Sequence, residues 1–385
     1  MISQKLKSYF NKRNISLFIF LFVNFIFSIK YLSRATNYYI IISIFILGFY
    51  FCLWKYMSLL NKYFLLLSRI NFFILLLFVI TSVFIFNKID VNSLNVDRWS
   101  VITSFWDNFF NGEYVYFAKS NVGNPPGPMP FYFILALPFY LIGEIGYFSL
   151  LGIIAFYLLM RKTKTELYIQ TNSLLLISGS VFYLWEIVCR SNIFLNGTLV
   201  LCTLVYFLNL KVLNLKNSVI SGVIIGLVMS TRNVFIIPFI IAFLYSIKTN
   251  NVTIKQVALL GLISFSTFLI TFMPFVWNNF EEFKVMNPFI VQSTFLIPFE
   301  YTLLFIGLAF VAGFLCKIAS DVYFYSGLIL FLSISIYFAY HIVNFGFAVS
   351  FFGSGTDISY FILGIPFTLY YLMDKKIVLK LNFIR

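Results

Sequence analysis

The feature that most constrains this chain is a succession of unbroken apolar runs, such as the one from Ile70 to Phe86. Strands of a membrane barrel would show short segments of alternating hydrophobicity instead. Lipid offers no water to backbone N–H and C=O groups, so a continuous apolar run has to satisfy them within a helix. Composition agrees. Of the 385 residues, 61% are hydrophobic and 10% charged, whereas a soluble domain carries about 25% charged residues. The sequence therefore predicts an all-α fold: a polytopic transmembrane helix bundle forming one membrane domain over residues 1–385.

Hydropathy places about twelve spans, at 15–33, 38–54, 70–86, 146–160, 172–188, 193–210, 217–230, 234–247, 256–277, 298–316, 322–343 and 358–373. With the N-terminus inside and strict alternation, 19 of the 27 basic residues but only 3 of the 13 acidic ones fall on the cytoplasmic side. That is the positive-inside pattern. It predicts an integral plasma-membrane protein with both termini cytoplasmic. The formal charge of +14 is thus a topology signal, and no nucleic-acid partner is expected. The first run follows MISQKLKSYFNKRN with no small-residue cleavage site, so it reads as an uncleaved span. Cys52, Cys189, Cys202 and Cys316 are scattered and His341 is the single histidine. Neither a zinc site nor a disulfide framework is indicated, and no cofactor is expected.

Pro130 to Ile142 is apolar but only 13 residues long. As a helix it reaches about 20 Å, short of the roughly 30 Å hydrocarbon core. Counting it as a span would also reverse every later loop. It therefore reads as a juxtamembrane helix inside an outer loop covering 87–145.

That loop concentrates the polar chemistry. Asp97 precedes a helical pattern in which Trp99, Ile102, Trp106 and Phe109 share one face and Ser100, Thr103, Asp107 and Asn111 another. Two tryptophans on an amphipathic helix suit a membrane interface, and Asn111-Gly112 supplies the stop. Asp97 is either a functional carboxylate or only the helix cap. Next, Lys119-Ser-Asn-Val-Gly-Asn-Pro-Pro-Gly-Pro is either a plain turn or a segment holding Lys119 and backbone amides near a lipid phosphate. Arg232, in Ser230-Thr-Arg-Asn233, lies between two short apolar runs. If these form a hairpin, its tip falls below the outer surface, and an ionisable residue at that depth is a functional candidate. Snorkelling is the alternative. Arg190, Glu186 and Asp357 lie on the same side. Asp357 is a binding candidate or the cap of the last helix. Glu281 and Glu282 read as solvated charges, and His341 as structural.

Taken together, these residues resemble the GT-C superfamily of membrane glycosyltransferases. The likeness rests on Asp97 early in a large outer loop, the helix from Trp99, the Asn124-Pro125-Pro126 run leading into Phe131-Tyr-Phe, and Gly226-Leu-Val-Met-Ser-Thr-Arg232. It covers about residues 70–250. Here the loop follows the third span where the family's usually follows the first, and Asp97-Arg98 stands where many members have Asp-Glu. The resemblance implies a sugar transferred from a polyprenyl-phosphate-linked donor to a glycan, lipid or protein acceptor at the outer face, in contact with membrane lipid. Asp97 would be the catalytic base. Arg98, Lys119 and Arg232 would offset charge on the donor phosphate. Asn124 and Asp357 complete the binding set, and Asp107 and Glu113 are the fallback bases. The alternatives are a transporter or flippase of lipid-linked saccharides, or a surface-polysaccharide polymerase or ligase.

Overall fold

The structure, a computed structural model, describes residues 11–56, 64–164, 166–210, 212–295, 297–353 and 356–374. Of the inward-facing basic residues predicted above, Lys5, Lys7, Lys62, Lys211, Lys375, Lys376, Lys380 and Arg385 lie outside these.

Among the described residues every regular element is helical. In chain order the first helices are α1 (Lys12–Leu32), α2 (Tyr39–Lys55) and α3 (Phe64–Lys88). The loop 87–145, expected to lie outside, holds α4 (Ser100–Phe110) and α5 (Pro130–Ile142). There follow α6 (Gly146–Thr163), α7 (Leu167–Ser178), α8 (Val181–Cys189), α9 (Ile193–Leu208), α10 (Leu215–Met229), α11 (Ile236–Lys248) and α12 (Ile254–Ile270). Three short helices, α13 (Met273–Val276), α14 (Phe280–Val285) and α15 (Pro288–Phe295), lead to α16 (Phe299–Leu315) and α17 (Ala319–Phe345). A 3-10 turn at Ile358–Gly364 runs into α18 (Ile365–Leu372).

Among the described residues four helical stretches are long and apolar enough to cross a membrane: Lys12–Leu32, Arg69–Lys88, Ile254–Val276 and Ala319–Phe345. The pair α7 and α8, bent by 57°, makes a fifth if it is one broken span. That is fewer than the twelve expected, because breaks and caps leave several other apolar helices at 10–17 residues. The outside of the bundle is apolar: Phe72, Phe73, Leu77, Ile80 and Phe84 stand exposed on α3, and Ile40, Ile41, Ile44, Phe45 and Phe49 on α2. Apolar surface of this extent is suited to lipid.

The bend between α7 and α8 shows how such a bundle tolerates a break. The freed backbone groups are met by side chains from remote helices. The Tyr50 hydroxyl donates to Gly179 O at 2.6 Å. The Val181 N–H donates to Asn24 Oδ1 at 2.9 Å. Such partners make irregular backbone affordable at depth.

Helix α10 packs chiefly on α12, and α11 on α16 and α17. The two apolar runs flanking Arg232 therefore diverge to different neighbours, contrary to the close hairpin considered above. Small residues explain the α10–α12 contact. A Cβ on Gly222 would sit 2.7 Å from Ile263, and one on Gly226 would strike the Ser264 carbonyl. Glycines four apart let helix backbones approach closely.

The outer loop has its own apolar cluster. Ile102, Phe105 and Trp106 of α4 pack with Phe133 and Ala136 of α5 and with Phe275. Phe105 stacks on Phe133, and the Trp106 indole donates to Phe133 O at 3.1 Å. Trp106 is 3% exposed, so the apolar face of α4 is turned onto α5 and is not free for the membrane interface as expected. Ser100 is also buried, because its hydroxyl donates to Asn121 Oδ1 at 2.7 Å. Asn111 ends α4 and Gly112 follows in the left-handed region, φ 74°. Pro130 opens α5 and Gly143, φ 86°, closes it, so the juxtamembrane helix has the boundaries expected.

Candidate functional site

The site is assembled from four loops. The first carries Asp97 and Arg98, just before α4. Asp97 lends its backbone carbonyl to Val101 N at 3.0 Å, but the helix has no side-chain cap. The carboxylate is held elsewhere: Asn124 Nδ2 donates to Asp97 Oδ2 at 2.8 Å.

The second loop presents Asn124. Ser120 N donates to Asn124 O at 2.9 Å, and Asn124 N donates to Ser120 Oγ at 3.1 Å. This closed turn passes through Gly123 at φ 85°, a conformation that glycine adopts freely. Asn121 ties it to α4, its N–H donating to Ser100 Oγ at 3.1 Å.

The third loop is the Ser230–Arg232 turn at the end of α10. The opening N–H groups of a helix lack intrahelical acceptors, and here Ser230 supplies them for α5. Phe131 N donates to Ser230 Oγ at 3.2 Å and Tyr132 N to Ser230 O at 3.3 Å. Met129 N donates to Thr231 O at 3.2 Å. The Pro-rich run is thereby fixed against the turn that bears Arg232.

The fourth loop leads into α18. Asp357 Oδ1 accepts Ser359 N at 2.8 Å, capping the 3-10 turn, while Oδ2 forms an ion pair with Arg98. Arg98 also donates to Ser359 Oγ at 3.0 Å. Asp357 is thus both a cap and a partner of the outer loop.

Four of the five expected binding residues and the expected base belong to this arrangement. Asp97 is bonded to Asn124, and Arg98 to Asp357. Arg98 and Arg232 lie against the same ring, that of Tyr360, at 5.5 and 5.8 Å. Arg232 also lies 5.9 Å from the Tyr132 ring. Burial pushes the Tyr132 hydroxyl upward although Arg232 and Arg98 pull it down, so it stays a neutral donor. Arg232 differs from Arg98 in one respect. Its Nε is buried without a partner, and among the described residues its side chain makes no hydrogen bond or ion pair. Lys119 departs from expectation: it is exposed, and no hydrogen bond or ion pair among the described residues joins it to the cluster. Arg98, whose Nη2 is bonded to both Asp357 and Ser359, is a cross-link between loops before it is a phosphate ligand.

Sequence reasoning missed Lys30. It lies near the end of α1, is 5% exposed, and its Nζ is 3.5 Å from Thr356 O. A lysine inside an apolar run was the available signal. Tyr132 and Tyr360 were also missed, because aromatic residues are too frequent in this chain to stand out.

Two of the charged residues weighed earlier serve the fold. Glu186 Oε1 accepts Ser191 Oγ at 2.8 Å and Ile193 N at 2.7 Å, capping α9. Arg190 is 1% exposed and adopts φ 53° at the end of α8. It donates to Val188 O at 2.8 Å, Phe86 O at 3.0 Å and Ile89 O at 3.1 Å, and pairs with Glu144 at 3.3 Å. His341 is buried beside Tyr337. Glu281 is an exposed partner of Lys284. Of the fallback bases, Glu113 is exposed, and Asp107 accepts the Tyr140 hydroxyl at 2.6 Å, which pushes that phenol up to about 12.

Comparison with known protein families, with curated proteins and with solved structures gives no match. The geometry of these four loops is therefore the basis for the functional reading.

Proposed function

We propose that this chain is a multi-pass membrane glycosyltransferase of GT-C type. On this reading the apolar helices make about twelve crossings of the plasma membrane, some of them short or broken, with both termini cytoplasmic and the loop 87–145 outside. A sugar passes from a polyprenyl-phosphate donor to a glycan, lipid or protein acceptor at the outer face.

One observation carries the reading: a carboxylate oriented by an amide lies in a cluster that also holds a guanidinium with no hydrogen-bond or ion-pair partner among the described residues. Asp97 takes the acceptor hydroxyl's proton as the new glycosidic bond forms. The bond between the sugar and the phosphate oxygen breaks, and the departing lipid phosphate gains negative charge. Arg232, near two aromatic rings and with a side chain that makes no hydrogen bond or ion pair among the described residues, is poised to receive it, with Lys30 as a further cation. A positioned base contributes about 10² to 10⁴ in rate, and fixed cations offset developing charge most strongly where water is excluded.

The test is turnover by the purified full-length protein, reconstituted with polyprenyl-phosphate sugars and a panel of glycan acceptors. Release of polyprenyl phosphate that depends on acceptor is the expected result. Movement of intact lipid-linked saccharide across the bilayer, with no bond broken, would favour a flippase in its place.

A further inference from the structure

A second concavity is lined by Trp99 but not by its neighbours Asp97 and Arg98. It has a volume of about 260 Å³, and its lining includes Trp99, Thr103, Asp107, Tyr140, Glu144 and Arg190. At about 30 Å³ per water it holds eight or nine waters, roughly the room of one sugar ring.

Its chemistry is opposite in sign to that of the four-loop cluster. Ionised carboxylates only accept hydrogen bonds, and this cleft has two. Asp107 Oδ1 is fixed by the Tyr140 hydroxyl at 2.6 Å, and its second oxygen has no partner among the described residues. Glu144 Oε1 accepts Gly146 N at 2.7 Å and faces Arg190. The one cation present, Arg190, is engaged by three backbone carbonyls and Glu144, so it offers little to an incoming anion. A phosphate finds repulsion here. A neutral polyol, whose hydroxyls donate, finds acceptors. Trp99 and Tyr140 add aromatic surface, and pockets combining such surface with a few placed polar groups are the usual form of small-ligand sites. The Trp99 indole N–H has no acceptor among the described residues.

We infer that this cleft binds a neutral sugar ring, and, resting on the transferase reading, that the ring belongs to the acceptor glycan. Residues 97–99 then separate two compartments. The basic side takes the donor phosphate and the acidic, aromatic side takes the acceptor, so the two substrates are sorted by charge. Asp97 lies two residues before Trp99, which lines the cleft.

The experiment uses the full-length protein in nanodiscs without any donor. Saturation-transfer NMR is recorded with glucose, mannose, galactose and N-acetylglucosamine in turn. Ring-proton signals are expected from at least one of them. Thr103→Trp, which fills the cleft from an outward position, should abolish them. Asp107→Asn and Tyr140→Phe keep the shape and guard against misfolding. Removing the charge at Asp107 should weaken binding about tenfold, the worth of one charge-assisted hydrogen bond. Arg232→Ala should leave the signals intact. Silence from all four sugars with the wild type, or equal signals from folded Thr103→Trp, overturns the assignment. Turnover keeps the two readings apart. Sugar binding without any transfer sinks the transferase and spares the cleft. Transfer with an unchanged acceptor KM in Thr103→Trp sinks the cleft and spares the transferase.

Discussion

Arg232→Ala separates binding from folding, because of what Arg232 does not touch. Removing it breaks no hydrogen bond and strands no carboxylate. The loss to the fold is its contact with two rings, at 5.8 and 5.9 Å. At about 0.5 kcal/mol for each partly exposed cation–π contact, stability falls by about 1 kcal/mol or less. The loss to function is larger. A hydrogen bond to a charged group is worth about 1.5–3 kcal/mol, so the donor Kd should rise about ten- to a hundredfold. Arg232→Lys keeps the charge but not the planar fork and should fall between. The assay is titration of the protein in nanodiscs with a short-chain polyprenyl-phosphate sugar, with the matching polyprenol as a phosphate-free control. Only the phosphate ligand should sense the substitution. An unchanged Kd for the phosphate ligand refutes the reasoning. So does an equal weakening for the alcohol, which would mean that the site had lost its shape and not its charge.

Three further outcomes are expected. Asp97→Asn should lower kcat by about 10² to 10⁴ while thermal stability holds, because the Asp97 carboxylate caps no helix; full turnover would move the base to Asp107 or Glu113. Arg190→Met should destabilise the protein by about 3–5 kcal/mol, the cost of breaking a buried charge network, seen as a large drop in the detergent melting temperature. A Val122→Cys variant free of the four native cysteines should label from outside intact cells. Val122 is 44% exposed, whereas the neighbouring Asn121 is tied to Ser100, and labelling only after permeabilisation would reverse the proposed topology.

Much of this architecture was legible because its signals are local. The limits of α5 follow from Pro130 and the glycine at 143, and the end of α4 from Asn111-Gly112. What was not legible depends on distant partners. The run at 172–188 reads as a single span by hydropathy, although Ser178-Gly179-Ser180 within it is a local signal for a kink. The bend is sustained by Asn24 and Tyr50, more than a hundred residues earlier in the chain. Trp106 was misjudged for a related reason. Its spacing correctly predicts one apolar face of α4, but a pattern cannot say whether that face meets lipid or another helix, and here α5 covers it. The candidate residues came together more fully than their motifs warranted, except for Lys119. A basic residue in a polar loop carries no local mark of whether the chain will turn it inward.

Depth alone proved a poor guide among the charged residues, and bond saturation a better one. Arg190 is more deeply buried than Arg232, yet three carbonyls and a carboxylate account for its donors. Glu186 is equally enclosed, and a hydroxyl and backbone N–H groups account for its oxygens. Such groups hold helix ends in place, and a ligand would have to displace bonds already made. The Arg232 guanidinium lies near two rings, with its side-chain hydrogen-bonding capacity unmet among the described residues. A cation kept in that state loses solvation without recovering it from the protein. The deficit is made good when an anion arrives, which is the physical reason for seeking the donor phosphate at Arg232 and not at the better-buried Arg190.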